Sequence, residues 1–188
     1  MDDHGLLARV KRGDEEAFSE LYARHQAAIY RYAAHMCGPA AADDVVQETF
    51  LALLRRPQAF DAARGTVAAY LYGIARHNVL GRLSVSHAEL ADAIETEEGF
   101  GAAVESSPLD ALSRAETIAR VRAAIGSLPP AYREAVVLCE LQEMDYAAAA
   151  AVMQCPIGTV RSRLHRARGL LMSKLAERQP VVAGKPGS

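Results

Sequence analysis

Residues 84–113, SVSHAELADAIETEEGFGAAVESSPLDALS, carry seven acidic side chains and no lysine or arginine, and present no apolar face wide enough to bury. A stretch of that composition cannot offset the entropy lost on ordering, so it divides the 188-residue chain into two parts that must find their cores on either side of it. The expected layout is a folded block over residues 1–83, a flexible acidic linker over 84–113 with room for a transient helix, and a second block over 114–178. A disordered tail is expected over 179–188, where two prolines and two glycines break any apolar period.

Charge separates along the same lines. The first block balances ten acids with ten bases, the linker is purely acidic, and residues 114–188 hold eleven bases against six acids. The near-neutral total of -2 therefore hides a basic C-terminal block, the asymmetry of a chain that meets nucleic acid through one part.

Within both blocks the apolar residues recur at spacings of three and four. Phe18, Leu21, Tyr22 and Ile29 form one such face, and Val46, Phe50 and Leu53 another. Breakers fall at Gly38-Pro39, Pro57 and Gly65, which gives about four helices in the first block. A second helical set starts near Ala115, pauses at Pro129-Pro130 and resumes through Tyr132, Val136, Val137, Leu138 and Leu141. The expectation is an all-α chain of two small bundles, each with a core barely sufficient alone, so that binding to a partner adds stability.

Cys37, Cys139 and Cys155 are odd in number and form no CxxC pair, which suggests neither a disulfide framework nor a thiolate zinc site. His35 and Cys37 are the only close His/Cys pair, and two ligands beside a Gly-Pro break do not make a metal site. No metal, cofactor or catalytic residue is expected. The N-terminus opens on Asp2 and Asp3 without an apolar run, so a cytoplasmic chain is expected.

The strongest local signal is residues 144–172, MDYAAAAAVMQCPIGTVRSRLHRARGLLM. They resolve into a short helix, a turn over Gln154 to Gly158 and a longer helix from Thr159, with Asp145 and Thr159 as the expected N-caps. Val160, Leu164, Ala167 and Leu171 share a buried face, which leaves Arg161, Ser162, Arg163, His165, Arg166 and Arg168 around the rest. From Thr159 to Lys174 there are five basic residues and no acid. A basic helix alone is an ordinary solvated helix. A short helix and tight turn before it make the helix-turn-helix layout, whose second helix enters the major groove.

The run LPPAYREAVVL from Leu128, followed by CPIGTVRSRLHRAR from Cys155, resembles the C-terminal promoter-binding module of the extracytoplasmic-function sigma factors of the sigma-70 family. GDEEAFSELYARH from Gly13, DDVVQETFLALLRR from Asp43 and FDAARGTVAAYLYGIARHN from Phe60 resemble that family's N-terminal module, in the family's order. The resemblance covers nearly all of residues 6–176 and implies a transcription initiation factor with no small-molecule substrate. Its implied partners are bacterial core RNA polymerase, through the coiled coil of the largest subunit's clamp and the flap of the second-largest, promoter DNA, and a membrane-linked anti-sigma factor.

The same resemblance distributes the roles. Asp43, Asp44, Gln47, Glu48 and Leu51 form the outer face that docks on polymerase. The helix dipole favours acids in a first turn, which accounts for Asp43 and Asp44 but not for Glu48. Phe60, Arg64, Tyr70, Tyr72, Arg76, His77 and Asn78 fall in the segment that melts and holds the minus-ten element, where unstacked bases need aromatic and cationic partners. Leu71 and Ile74 belong to the core there. Thr159, Arg161, Ser162, Arg163, His165, Arg166 and Arg168 match the helix that reads the minus-thirty-five element.

The chain departs from the family pattern in four places. Tyr70 stands where tryptophan is common, Gly73 and Gly81 where a basic and an acidic residue are usual, LSVS follows Arg82 where arginines often continue, and Ala147 to Ala151 replace a polar-and-isoleucine pattern. The alanines keep helix propensity high and supply little core volume. Two other readings compete: a stand-alone helix-turn-helix regulator, which leaves DDVVQETFL unexplained, and a sigma-like adaptor that titrates an anti-sigma protein, which has no need of the arginines at 161–168. The acidic linker is expected to leave the two modules mutually mobile.

Overall fold

Most helices of the chain begin where the sequence offers an oxygen or a proline. The computed structural model describes residues 1–89 and 108–177, and every regular element among them is helical. Asp2 accepts the Gly5 amide at 2.9 Å to start α1 (Asp3–Val10), and Asp14 accepts that of Ala17 at 3.1 Å to start α2 (Glu15–Cys37). Gly38, at φ 86, ends α2 and turns the chain into α3 (Pro39–Arg55), whose first residue is the proline that needs no amide partner. Two short 3-10 turns follow, and Thr66 then accepts the Ala69 amide at 3.1 Å in the first turn of α4 (Val67–Glu89).

The C-terminal set comprises α5 (Pro108–Gly126), α6 (Pro130–Val136), α7 (Tyr146–Met153) and α8 (Ile157–Glu177). A wide π-helical turn over Val137–Leu141 extends α6. Asp145 caps α7 as expected, accepting from the Ala148 amide at 2.8 Å. Thr159 does not cap α8: the helix starts two residues earlier, because Pro156 closes the turn and its carbonyl already takes the Thr159 amide at 2.8 Å. Helix α4 also runs past residue 83 to Glu89, and α5 starts at Pro108, ahead of the expected Ala115. Residues 90–107 of the expected linker, and the expected tail, lie outside the described residues.

Helices α1 to α4 pack around Leu6, Leu21, Ile29, Met36, Val45, Leu53 and Leu71, with Phe18, Tyr22 and Phe50 forming a ring cluster at one side. The C-terminal helices bury Leu128, Leu138, Val160, Leu164 and Ala167. Ile74, expected in the core, is only half-buried, whereas its neighbours Leu71 and Ala75 are sealed.

The two sets are not separate bodies. Helix α4 lies against α7, and α2 against α5 and α6, so that one buried cluster runs from Leu6 to Ala167. At the seam the Tyr32 ring meets the Tyr72 ring edge-on at 5.5 Å. The Tyr32 hydroxyl and Arg76 Nε both donate to Glu134 Oε1, at 3.0 and 2.7 Å. Tyr72 donates to Gln142 at 3.0 Å, and Arg133 Nη1 to the Met36 carbonyl at 2.9 Å. The mutual mobility expected of the modules gives way here to a shared core. Each bundle leaves one apolar face unfilled, and the other bundle fills it.

Candidate nucleic-acid and protein interfaces

The helix-turn-helix is built from a tight joint. After Met153 the chain turns through Gln154 in the left-handed region, at φ 52 and ψ 46, and the Cys155 amide donates back to Ala150 at 3.1 Å. That joint sets α8 against α7 and α6 through Val160, Leu164 and Ala167, with Leu171 half-buried beyond them. Arg161, Ser162, His165, Arg166 and Arg168 are exposed, while Thr159 and Arg163 are half-buried. Arg163 lies over the joint, 3.9 Å from the Cys155 sulfur.

The arginines of this face are not equivalent. Arg168 forms an ion pair with Glu140, an acid 28 residues earlier that the run of bases in the helix does not reveal. The Arg161 guanidinium lies over the Tyr146 ring at 5.8 Å, a contact that positions the cation without neutralising it. Arg166 and His165 point outward from the same turn.

In α4 the seven minus-ten candidates divide. Successive residues turn by about 100°, so Tyr70 and His77, seven apart, share a face, whereas Tyr72 lies about 200° round from Tyr70 and shares its side with Arg76. The first face is open: His77 is exposed and Tyr70 half-buried, its ring against Phe60 at 5.5 Å. Phe60 itself is wedged between Tyr70 and His4, with Lys11 bonded to its carbonyl at 3.3 Å. It is a support for the surface rather than part of it. Tyr72 and Arg76 are bonded across the seam, to Gln142 and Glu134. Burial pushes the Tyr72 hydroxyl up to about 12, and it holds that of Tyr32 well above the ordinary range, with the Glu134 charge adding to the effect. Asn78 is half-buried, and its Nδ2 is enclosed without a hydrogen-bond partner. The side chain of Arg64 lies outside the described residues.

The α3 face is presented as the spacing implies. Val46, Phe50 and Leu53 are buried, and Asp43, Asp44, Gln47, Glu48 and Leu51 are exposed. Arg82 of α4 reaches across to them, 2.8 Å from Glu48 and 3.6 Å from Asp44. Asp43 and Gln47 also border a groove shared with Tyr22, Gln26, Tyr30 and Arg31 of α2. Sequence reasoning missed Arg82, Glu140, Glu134 and this groove, because each acts on a neighbour remote in the chain.

No group of three metal-binding side chains occurs among the described residues. Cys37 donates to the Ala33 carbonyl at 3.2 Å, and burial raises its thiol. Burial lowers His35, and the charge of Arg122 lowers it further.

Two family models match the chain in order, sigma-70 region 2 over residues 21–86 and sigma-70 region 4 over 118–171. The ECF RNA polymerase sigma-E factor of Escherichia coli K12 is 36% identical over 97% of this chain and 97% of its own length. The chain belongs to the extracytoplasmic-function sigma factors. The RNA polymerase sigma-H factor of Pseudomonas aeruginosa is 39% identical to this sigma factor over 96% of it and 95% of the relative. Among solved structures, CnrH in complex with the cytosolic domain of CnrY superposes with a TM-score of 0.70 at 27% identity, covering 94% of this sigma factor and 99% of CnrH. RpoE of Bartonella quintana, in complex with the anti-sigma factor NepR, shares the fold at a TM-score of 0.71 and 24% identity, over 86% and 98% of the two chains. In this sigma factor the region 2 match contains α3 and most of α4, and the region 4 match contains the helix-turn-helix. The seam therefore joins region 2 to region 4.

Proposed function

We propose that this sigma factor directs promoter-specific initiation by bacterial core RNA polymerase, with region 2 docking and melting the minus-ten element and region 4 reading the minus-thirty-five element. The observation that carries the reading is the pairing of the two sigma-70 matches, in order, with an exposed row of arginines on the second helix of a helix-turn-helix. Asp43, Asp44, Gln47, Glu48 and Leu51 form the polymerase-docking face. Arg161, Ser162, His165 and Arg166 face the bases and flanking phosphates, with Thr159, Arg163 and Arg168 at the edges. Phe60, Tyr70, His77 and Asn78 support and hold melted DNA, joined by Arg64, Tyr72 and Arg76 when the modules part.

The chain has no catalytic role of its own in this reading and works in the cytoplasm; no described helix is long and apolar enough to cross a membrane. A membrane-linked anti-sigma partner belongs to the same proposal, supported by the complexes in which CnrH and RpoE were solved. Adding the purified protein to core polymerase on fragmented genomic DNA and mapping run-off starts tests it. Starts that share two spaced motifs absent with core alone are expected. Starts unchanged by the protein would refute the reading.

A further inference from the structure

Helix α1 lies outside the region 2 match, which begins at Leu21. It is anchored firmly all the same. Leu6, Leu7 and Val10 are buried, Asp3 pairs with Arg24 at 3.0 Å and with His25 at 2.7 Å on α2, and Arg9 pairs with Asp14 at 2.7 Å. His4 and Lys11 take no part in that anchoring. Their spacing brings them within about 20° of the same helix face, and both reach one residue of another element, Phe60. The His4 ring lies 5.4 Å from the Phe60 ring. Lys11 Nζ lies 5.7 Å from the centroid of the same ring and donates to the Phe60 carbonyl at 3.3 Å.

Phe60 anchors the connection between α3 and α4. Among the described side chains from Gln58 to Thr66 it alone is buried, and Asp61, Ala62, Ala63 and Gly65 after it are exposed. The loop turns on Asp61, which accepts the Ala63 amide at 3.0 Å, and on Gly65 at φ 139, where an added methyl would meet nothing within 4 Å. The Phe60 ring also meets Tyr70 of α4 at 5.5 Å. An open loop held by one buried side chain stands where the neighbours of that side chain put it. An unstacked base taken up beside Tyr70 needs its stacking and hydrogen-bonding groups within about 0.5 Å of place, and a loop already fixed there loses less freedom when the base arrives.

We propose that His4 and Lys11 are positioning residues for the minus-ten site: they clasp Phe60 from α1, fix the Phe60–Gly65 loop beside Tyr70, and so set how strictly an unstacked base is chosen. The use of the loop for DNA rests on the proposed function; the clasp itself rests on the α1 contacts.

The test uses the full chain as wild type, His4→Ala and Lys11→Ala, with His4→Phe and Lys11→Arg as variants that keep a ring and a cationic donor. Hydrogen exchange over residues 57–66 reports how firmly the loop is held. Binding of the holoenzyme, reconstituted with core polymerase, to fluorescent single-stranded minus-ten oligonucleotides that differ at one base reports selection. Both alanine variants are expected to exchange faster in the loop but not in α3. They are also expected to lose about 5-fold or more of the discrimination at one base position, out of the roughly 5- to 150-fold that a read base supplies. The conservative variants should recover both. Core affinity should be unchanged. A general loss of folded protein would weaken binding to every oligonucleotide alike and leave the ratio between them untouched, so the ratio separates positioning from stability. His4 is exposed, so His4→Ala decides the matter if Lys11→Ala fails to fold. Unchanged exchange in the loop, or a wild-type ratio of affinities in the alanine variants, would overturn the clasp and leave the proposed function standing. A wild-type holoenzyme without base preference in the minus-ten strand would overturn the proposed function and this inference together.

Discussion

Tyr72 donates its hydroxyl to Gln142 at 3.0 Å, across 70 residues of sequence, while its ring sits edge-on to Tyr32. The folded-state pKa of Tyr72 is pushed up to about 12 from the ordinary 10.0 of a tyrosine, chiefly by burial, and that of Tyr32 is raised as well. Because both folded values lie above the unfolded one, the stability they contribute is complete below pH 10 and is lost as pH rises from there through about 12. In an ultraviolet titration of the seven tyrosines, Tyr32, Tyr70 and Tyr72 are expected to ionise late, and the ionisation of Tyr32 and Tyr72 to accompany loss of the closed form. Tyr72→Phe should remove one of the three. If all seven ionise near pH 10 with the structure intact, the burial of the seam is disproved.

The α3 acids are held by Arg82 but are exposed, so the pairing contributes less than about 1 kcal/mol. Asp44→Ala combined with Glu48→Ala is expected to leave thermal stability nearly unchanged and to lower affinity for core polymerase by about 10-fold or more. The promoter preference of whatever holoenzyme forms should stay the same. Normal core binding by this variant, measured by competition with a labelled sigma factor, would remove α3 from the interface.

On α8 the arginines should separate by their partners. Arg161→Ala or Arg166→Ala is expected to cost about 1–3 kcal/mol of promoter discrimination, roughly 5- to 150-fold in run-off from matched and mismatched minus-thirty-five elements. Core binding should be nearly unaffected. Arg168, already paired with Glu140, should when replaced by alanine change affinity and salt dependence more than discrimination. Equal losses of discrimination from all three would contradict this division.

His77 lies on the open side of α4, and Asn78 beside it is half-buried. Replacing both by alanine is expected to impair opening of duplex promoters and to be largely rescued on a template with a pre-melted bubble. The same deficit on both templates would point to a fault other than melting.

The alanine run in α7 has a packing role. Ala149 is wholly buried and Ala150 nearly so, in a helix that lies against α4 and α8. Ala149→Leu is expected to destabilise by about 1–3 kcal/mol through overpacking. Gly81→Ala, with nothing within 4 Å of the added methyl, should stabilise α4 by about 0.5–1 kcal/mol. Chemical denaturation of the two variants checks both signs.

The helices, the Asp145 cap and the buried stripe of α8 were legible because each depends on residues within one or two turns of one another. The seam was not. Apolar periodicity shows that a face is covered but not by what, and Arg76 and Tyr32 find Glu134 at separations of 58 and 102 residues. Helix α4 made the reading harder, since Leu71, Ala75 and Val79 are buried along one side while Tyr72 and Arg76 bond with the C-terminal half. With so much of its circumference in use, it has no clean polar face from which a DNA-contacting edge stands out. The boundary at Thr159 differs for a simpler reason: Pro156, immediately before Ile157, reads as part of the turn, yet its carbonyl already takes the first hydrogen bonds of the helix.

The Val136–Leu138 run, buried where α6 and its π-helical extension meet α2, has a consequence for the abundance of the protein in a cell. Parting the modules uncovers this greasy stripe, and a chain caught open without polymerase offers chaperones and proteases an easy hold. A variant with a weakened seam is therefore expected to be cleared faster than the wild type.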